Sequence, residues 1–197
     1  MKRPAGPAEF EYEERRSRFI ACLRPLESPA EVREIVSQTR RQHPGSRHVV
    51  HAFVVGGQGE VRGSSDDGEP SGTAGRPALE LIRGRDLTQV IITVVRYFGG
   101  IKLGTGGLVR AYSAAARGVL DLAATEDFIP FRDFTLRLPY ALYRGFLRNL
   151  AALGGQVLSE TFDQEVALSG RLPSNRIPGL EQALANLTSG RIEARWL

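Results

Sequence analysis

The clearest periodicity lies in the last third of the chain. Phe134, Leu136 and Leu138 alternate with Thr135 and Arg137, which predicts a strand with one buried face. Leu142, Phe146, Leu150 and Leu153 recur at helical spacing, and Gly154-Gly155 ends that helix. Val157–Thr161 reads as a second strand. Val166, Leu168 and Leu172, set against Glu165, Ser169 and Arg171, read as a third. Ser174 is the expected cap of a helix bearing Ile177, Leu180, Leu184 and Leu187, with Gly190 as its stop. Ile192, Ala194 and Trp196 alternate with Arg191, Glu193 and Arg195 in a last strand. The order βαββαβ is the split βαβ, ferredoxin-like unit.

Residues 1–130 are less regular. Phe10–Glu13 and Ser17–Leu23 read as strands, and Ser28-Pro29 opens a helix that runs to about Gln42. Val49–Gly56 is a strand, with a glycine-rich hairpin leading to Val61. Ala78, Leu79, Leu81 and Ile82 mark a helix, and the unbroken run Val90–Arg96 a buried strand. Leu108, Tyr112, Ala115, Val119 and Leu122 form the inner face of a long helix. The expected whole is α+β in two domains, 1–130 and 131–197, joined at Glu126–Pro130. In the first domain the helices are expected on one side of the sheet.

Composition changes this picture little. The 197 residues are 42% hydrophobic and 24% charged, the balance of a globular chain. No apolar run is long enough to span a membrane, and the polar N-terminus is not a secretory signal. One cysteine, Cys22, excludes an internal disulfide and any multi-cysteine metal site, so a cytoplasmic location is expected. The net charge of +4 permits nucleic-acid binding without arguing for it. Its distribution says more. No acid lies between Asp86 and Asp121, where Arg96, Lys102, Arg110 and Arg117 fall, whereas Asp66, Asp67 and Glu69 cluster together.

Two loops exceed what folding needs. The first is Ser64–Pro77, which contains the acidic cluster. The second is Arg96–Gly107, with Gly99, Gly100, Gly104, Gly106 and Gly107. Glycine lets the backbone approach a ligand, and a helix start offers free N–H groups to an anion. The second loop adds Lys102, Thr105 and Arg110 and has no acid, so it is the better phosphate candidate; the alternative is a tight strand-to-helix connection. It has neither Walker nor dinucleotide-fingerprint spacing. Asp66, Asp67 and Glu69 offer carboxylates to magnesium. Adjacent aspartates diverge, however, so a solvated or docking turn is expected and no metal or cofactor is assigned. His48 and His51 point to opposite faces of an extended strand; for His48 a polar cluster with Asp66 and plain strand packing are both open. No nucleophile elbow is present, and Cys22 sits in an apolar strand. In the last domain the outward positions include Arg137, Arg171, Arg191 and Arg195 but no aromatic residue. Phosphate contact is open to them and base stacking is not expected; the alternative is a solvated charged face or a face packed on the first domain.

The strings SSDDGEPSGTAGRPALELI and VVRYFGGIKLGTGGLVRAYSAAA, with SRHVVHAFVVG upstream, closely resemble the signature of the YigZ/IMPACT family. The resemblance spans most of residues 10–125. It implies a first domain folded like the second domain of ribosomal protein S-five, and a C-terminal ferredoxin-like domain resembling the last domain of elongation factor G. Eukaryotic members restrain a starvation-sensing kinase through an additional N-terminal domain; with the matching region beginning by about residue 10, that domain and the kinase role are not expected here. What the resemblance implies here is a non-enzymatic protein linked to translation, with RNA or the ribosome as partner. Contact candidates are Arg96 and the four C-terminal arginines. Two alternatives stay open: an enzyme or sensor holding a phosphate-bearing small molecule in the glycine loop, and a protein-interaction module.

Overall fold

The computed structural model describes residues 1–197. The chain divides into two compact units, Met1–Phe128 and Ile129–Leu197.

In the first unit, β1 (Lys2–Pro4) pairs with β7 (Thr125–Asp127), tying the two ends of the unit together. Strands β2 (Ala8–Glu14), β3 (Ser17–Pro25), β4 (His48–Val55), β5 (Val61–Ser65) and β6 (Val90–Tyr97) form an antiparallel sheet in the order β2-β3-β6-β4-β5. The helices are α1 (Val32–Gln42), α2 (Gly75–Gly84) and α3 (Gly104–Leu122). Ser28 caps a single 3-10 turn, Pro29–Glu31, that leads into α1; its Oγ accepts from Ala30 N at 3.3 Å.

The helices do not all lie on one side. Phe19, Val50, Ile92 and Val94 pack under α2 and α3 with Ala78, Ile82, Ala115 and Val119. The opposite residues of the same strands, Ile20, Val49, Ile91 and Val95, pack with Val32, Ile35 and Val36 of α1. The cause is in β6. Seven successive buried residues from Val90 to Arg96 leave no solvent face, so both sides need cover.

A second difference sets the site. Helix α3 starts at Gly104, four residues before the apolar periodicity begins. Its first turn is Gly-Thr-Gly-Gly, a very poor helix-forming stretch, which hides it from any propensity reading. Of the five loop glycines only Gly100 (φ +87°) and Gly104 (φ +70°) need positive φ. Gly99 answers a different demand. A Cβ there would lie 2.0 Å from the Arg16 carbonyl carbon.

In the second unit, β8 (Phe131–Leu138), β9 (Gln156–Phe162), β10 (Val166–Pro173) and β11 (Arg195–Trp196) form an antiparallel sheet in the order β11-β8-β10-β9. Helices α4 (Tyr140–Ala152) and α5 (Ile177–Thr188) cover one face over Phe134, Leu136, Leu168 and Leu172. This is the ferredoxin-like arrangement. Ser174 makes no side-chain cap; it opens a 3-10 turn, Ser174–Arg176, before α5. The last strand is only two residues long. Arg191 N still bonds the Thr188 carbonyl at 3.3 Å and Ile192 N the Thr188 hydroxyl at 3.4 Å, which holds the chain at the helix end.

Candidate functional site

The site grows from one row of the first sheet. Arg96 on β6 stands directly opposite Phe19 on β3 and opposite His48 on β4. Strand parity puts all three on the α2/α3 face. Arg96 is thus the charged end of a series whose other members, Val90, Ile92 and Val94, are core. Its guanidinium stacks between two rings, 5.7 Å from the centroid of Phe19 and 5.6 Å from that of Phe98. Its Nη1 donates to Glu69 Oε1 at 2.7 Å, and the Tyr112 hydroxyl donates to the same oxygen at 2.8 Å. The side chains of Arg96 and Glu69 are 9% and 4% exposed. Burial, then the charge and hydrogen bond of Glu69, push the Tyr112 phenol far above its ordinary pKa, so it stays a donor.

His48 joins this cluster through Asp67 and Glu69, not Asp66. Its Nδ1 lies 2.7 Å from the Asp67 carbonyl, which only accepts, so Nδ1 carries the proton. Nε2 then faces Glu69 Oε1 at 4.0 Å. His51 lies on the opposite face, across from Thr93 and Ser65, where burial lowers its pKa against the opposing charge of Asp67. The Cys22 thiol is pushed up to about 11, first by burial and then by the charge of Glu9, and is unreactive at neutral pH.

The acidic loop is used up by structural bonds. Asp66 accepts from Gly72 N at 2.8 Å, Ala74 N at 3.0 Å and Gly75 N at 2.8 Å, holding the entry to α2. Burial acts to raise its pKa, but the three N–H donors together hold the carboxyl below the usual range. Asp67 accepts from Val49 N at 2.5 Å and from Arg40 Nη2 at 2.9 Å. Asp66 and Asp67 therefore point apart, as adjacent residues in a turn do, and Glu69 is engaged with Arg96. No group of three metal-ligating side chains converges anywhere in the chain.

Above the buried cluster opens a cleft of about 410 Å³, lined by Arg47, His48, Glu69, Pro70, Arg96, Phe98, Lys102, Leu103, Gly104, Thr105 and Leu108. Lys102, Gly104, Thr105, Arg96 and Glu69 were legible as candidates from sequence. Gly99 is packed against the β2–β3 turn, its N–H donating to Ser17 Oγ at 3.2 Å. Gly100, Gly106, Gly107 and Arg110 do not line the cleft, and neither do Asp66 and Asp67. Sequence reasoning missed Arg47, Phe98 and Tyr112. Arg47 sits outside any glycine or charge pattern, Phe98 lies in the glycine loop but is overshadowed by its glycines and cations, and Tyr112 reads as core because it is fully buried there. The available signal was an aromatic residue placed between the apolar run of the strand and Gly99-Gly100, and the structure leaves that ring 52% exposed.

The second unit presents a different surface. Its open sheet face is a shallow groove of about 540 Å³ bearing Thr135, Arg137, Ser159, Thr161, Ser169, Glu193 and Arg195. Arg171 is paired with Asp133 at 3.3 Å, and Arg191 donates to the Thr188 carbonyl at 3.1 Å. Two of the four arginines read as phosphate contacts are thus committed within the protein. An aromatic residue does occupy this face at its end: Phe131, of the same parity as Thr135 and Arg137, is 47% exposed. No helix in either unit is long and apolar enough to cross a membrane.

Comparisons with known proteins agree with these two units. Residues 15–120 match the Impact N-terminal domain, and residues 136–191 match a domain of unknown function, DUF1949. The chain is 33% identical to IMPACT family member YigZ of Escherichia coli (strain K12), over 96% of this chain and 94% of that protein. It is 35% identical to an IMPACT family member of Haemophilus influenzae, over 96% of this chain and 93% of that protein. With IMPACT family member YvyE of Bacillus subtilis (strain 168) it shares 44% identity over 62% of this chain and 56% of that protein. A solved structure described as a hypothetical protein superposes with a TM-score of 0.85 at 33% identity, covering 98% of this chain and 95% of the other. The match spans both units and most of each relative's length, and on that ground the chain belongs to the IMPACT family.

Proposed function

We propose that this chain is a non-enzymatic, RNA- or ribosome-associated protein acting in translation or its regulation, and that it holds RNA in the cleft of the first unit. The observation that carries this reading is the composition of that cleft. An exposed aromatic ring, Phe98, stands beside Arg47, Arg96 and Lys102 at the start of a helix with no acid in its first turn. Single-stranded nucleic acid is recognised by this combination: a ring on which a base stacks, and cations that track the backbone. Acid–base chemistry has a weaker footing. Glu69 is held by two donors, and His48 faces it rather than a nucleophile.

The test is a salt titration with a short single-stranded RNA. Arg47 and Lys102 are the cations of the cleft not committed to Glu69. With about −0.7 in the log–log slope per phosphate contact, the expected slope is about −1.4. Fluorescence anisotropy at 25 to 300 mM salt measures it. Binding that ignores salt, or no binding at the lowest salt, contradicts the reading.

A further inference from the structure

We infer that the cleft takes a nucleotide carrying a terminal phosphate monoester, its base against Phe98 and its phosphate at the first turn of α3. The source is either the phosphorylated end of an RNA strand or a free nucleotide. For the RNA end, the inference rests on the reading above.

Three features separate a terminal phosphate from an internal one. The first is the supply of donors. The N-terminal residue flanking α3 is Leu103, which has no side chain to cap the helix, so the first amides lack a side-chain acceptor. The Thr105 hydroxyl and the Lys102 ammonium line the same space. Arg96 adds an independent sign. Its side chain is nine-tenths buried in the wall of the cleft, and its Nε–H has no hydrogen-bond acceptor in the protein. Buried polar groups are nearly always paired, so an orphan guanidinium N–H in a residue that lines the cleft is a donor still open to an acceptor.

The second feature is charge. Arg47, Arg96 and Lys102 stand against one carboxylate, Glu69. The excess of two positive charges matches a phosphate monoester, which carries about −1.5 to −2 at pH 7 and three acceptor oxygens. An internal phosphodiester has one charge and two free oxygens, and leaves part of this donor set unused. The third feature is size. A cleft of about 410 Å³ is at the small-molecule end of binding sites, room for one nucleotide and not for a run of them. Nothing stands within 4 Å of where a side chain at Gly104 would begin, so the backbone there is open to a ligand.

The experiment uses the full chain and five probes. A 3′-labelled RNA decamer is compared with a 5′-phosphate and with a 5′-hydroxyl, and AMP, adenosine and inorganic phosphate are titrated into 15N-labelled protein. The expected result is five- to ten-fold tighter binding of the 5′-phosphorylated decamer. AMP should shift the amides of residues 98 and 104–106, where adenosine should not. Lys102→Met, an exposed change that keeps the stem, should weaken both decamers but the 5′-phosphorylated one more, so that the advantage of the 5′-phosphate is lost. Phe98→Ala should weaken AMP and leave inorganic phosphate unchanged. Equal affinity for the two decamers together with no AMP shifts overturns the inference and leaves the RNA reading standing. AMP shifts with neither decamer bound at low salt sustain the site with a free nucleotide as ligand and overturn the RNA reading. Inorganic phosphate reproducing the AMP shifts at the same concentration overturns the nucleotide assignment.

Discussion

Replacing Glu69 with alanine is expected to destabilise the first unit by about 3–5 kcal/mol, the cost of stranding one member of a buried ion pair. The mutation leaves the Arg96 guanidinium, 9% exposed, without its counter-charge. It also takes the acceptor from the Tyr112 hydroxyl, whose ring packs edge-on against Phe19 at 5.0 Å in the core under α3. These losses share one oxygen, so they do not add as separate terms. Glu69→Gln keeps an acceptor for both donors and removes only the charge, so it should fall between wild type and alanine. Urea unfolding read from the amide cross-peaks of β6 and α3 measures both. An alanine variant within 1 kcal/mol of wild type would show that water replaces the carboxylate and that the cluster is not a buried one.

The second large effect belongs to Gly99, and it comes with two controls in the same loop. Gly99→Ala places a Cβ 2.0 Å from the Arg16 carbonyl carbon and 2.5 Å from Ser17 N. Both are backbone atoms of a turn already held at positive φ, 49° at Arg15 and 65° at Arg16. That turn has no rotamer with which to yield, so the cost belongs at the upper end of overpacking, about 3 kcal/mol. Gly100→Ala meets open space but must keep φ near +87°, a cost of about 1 kcal/mol. Gly106→Ala sits in the helical first turn of α3 with only the Arg110 side chain, at 3.7 Å, in reach. Helix propensity predicts a gain of up to about 1 kcal/mol there. Thermal unfolding of the three variants should rank them in that order. Equal destabilisation by all three would mean that the loop acts as one rigid ligand cradle instead of three separate local solutions.

Much of the fold could be read from periodicity, and the misses have local causes. The run from Val90 to Val95 announces a strand buried on both faces. Helix α1, with Val32, Ile35 and Val36 among arginines and glutamines, was the element available to cover the second face. The start of α3 was hidden by three glycines in four residues, because propensity speaks against the helix that tertiary packing imposes. The alternation from Ile192 to Trp196 reads as a full strand, yet Thr188 holds its first residues at the end of α5.

The site was legible only in pieces. Glu69 belonged to an acidic cluster and Arg96 to a basic stretch, and nothing local links residues 27 apart. Their meeting depends on the register of β6 against β3 and β4, which places Arg96 beside Phe19 and His48. Register is a property of the assembled sheet, so the buried cluster appears only with the fold. The same holds for the second unit. Alternation correctly marks Arg171 as outward, but its partner Asp133 is on a neighbouring strand and becomes visible only through pairing.

The assignment of RNA binding to the first unit is tested most directly by two double variants of the full chain against one single-stranded RNA. Phe98→Ala with Lys102→Met alters the cleft, and Arg137→Gln with Arg195→Gln alters the open sheet face of the second unit; these side chains are exposed or line open surface. Losing one stacked base and one phosphate contact should weaken binding by at least about ten-fold, since stacking alone contributes roughly 1–3 kcal/mol. The sheet variant should stay within about three-fold of wild type. A cleft variant that binds as wild type, with the sheet variant weakened ten-fold, would contradict the assignment.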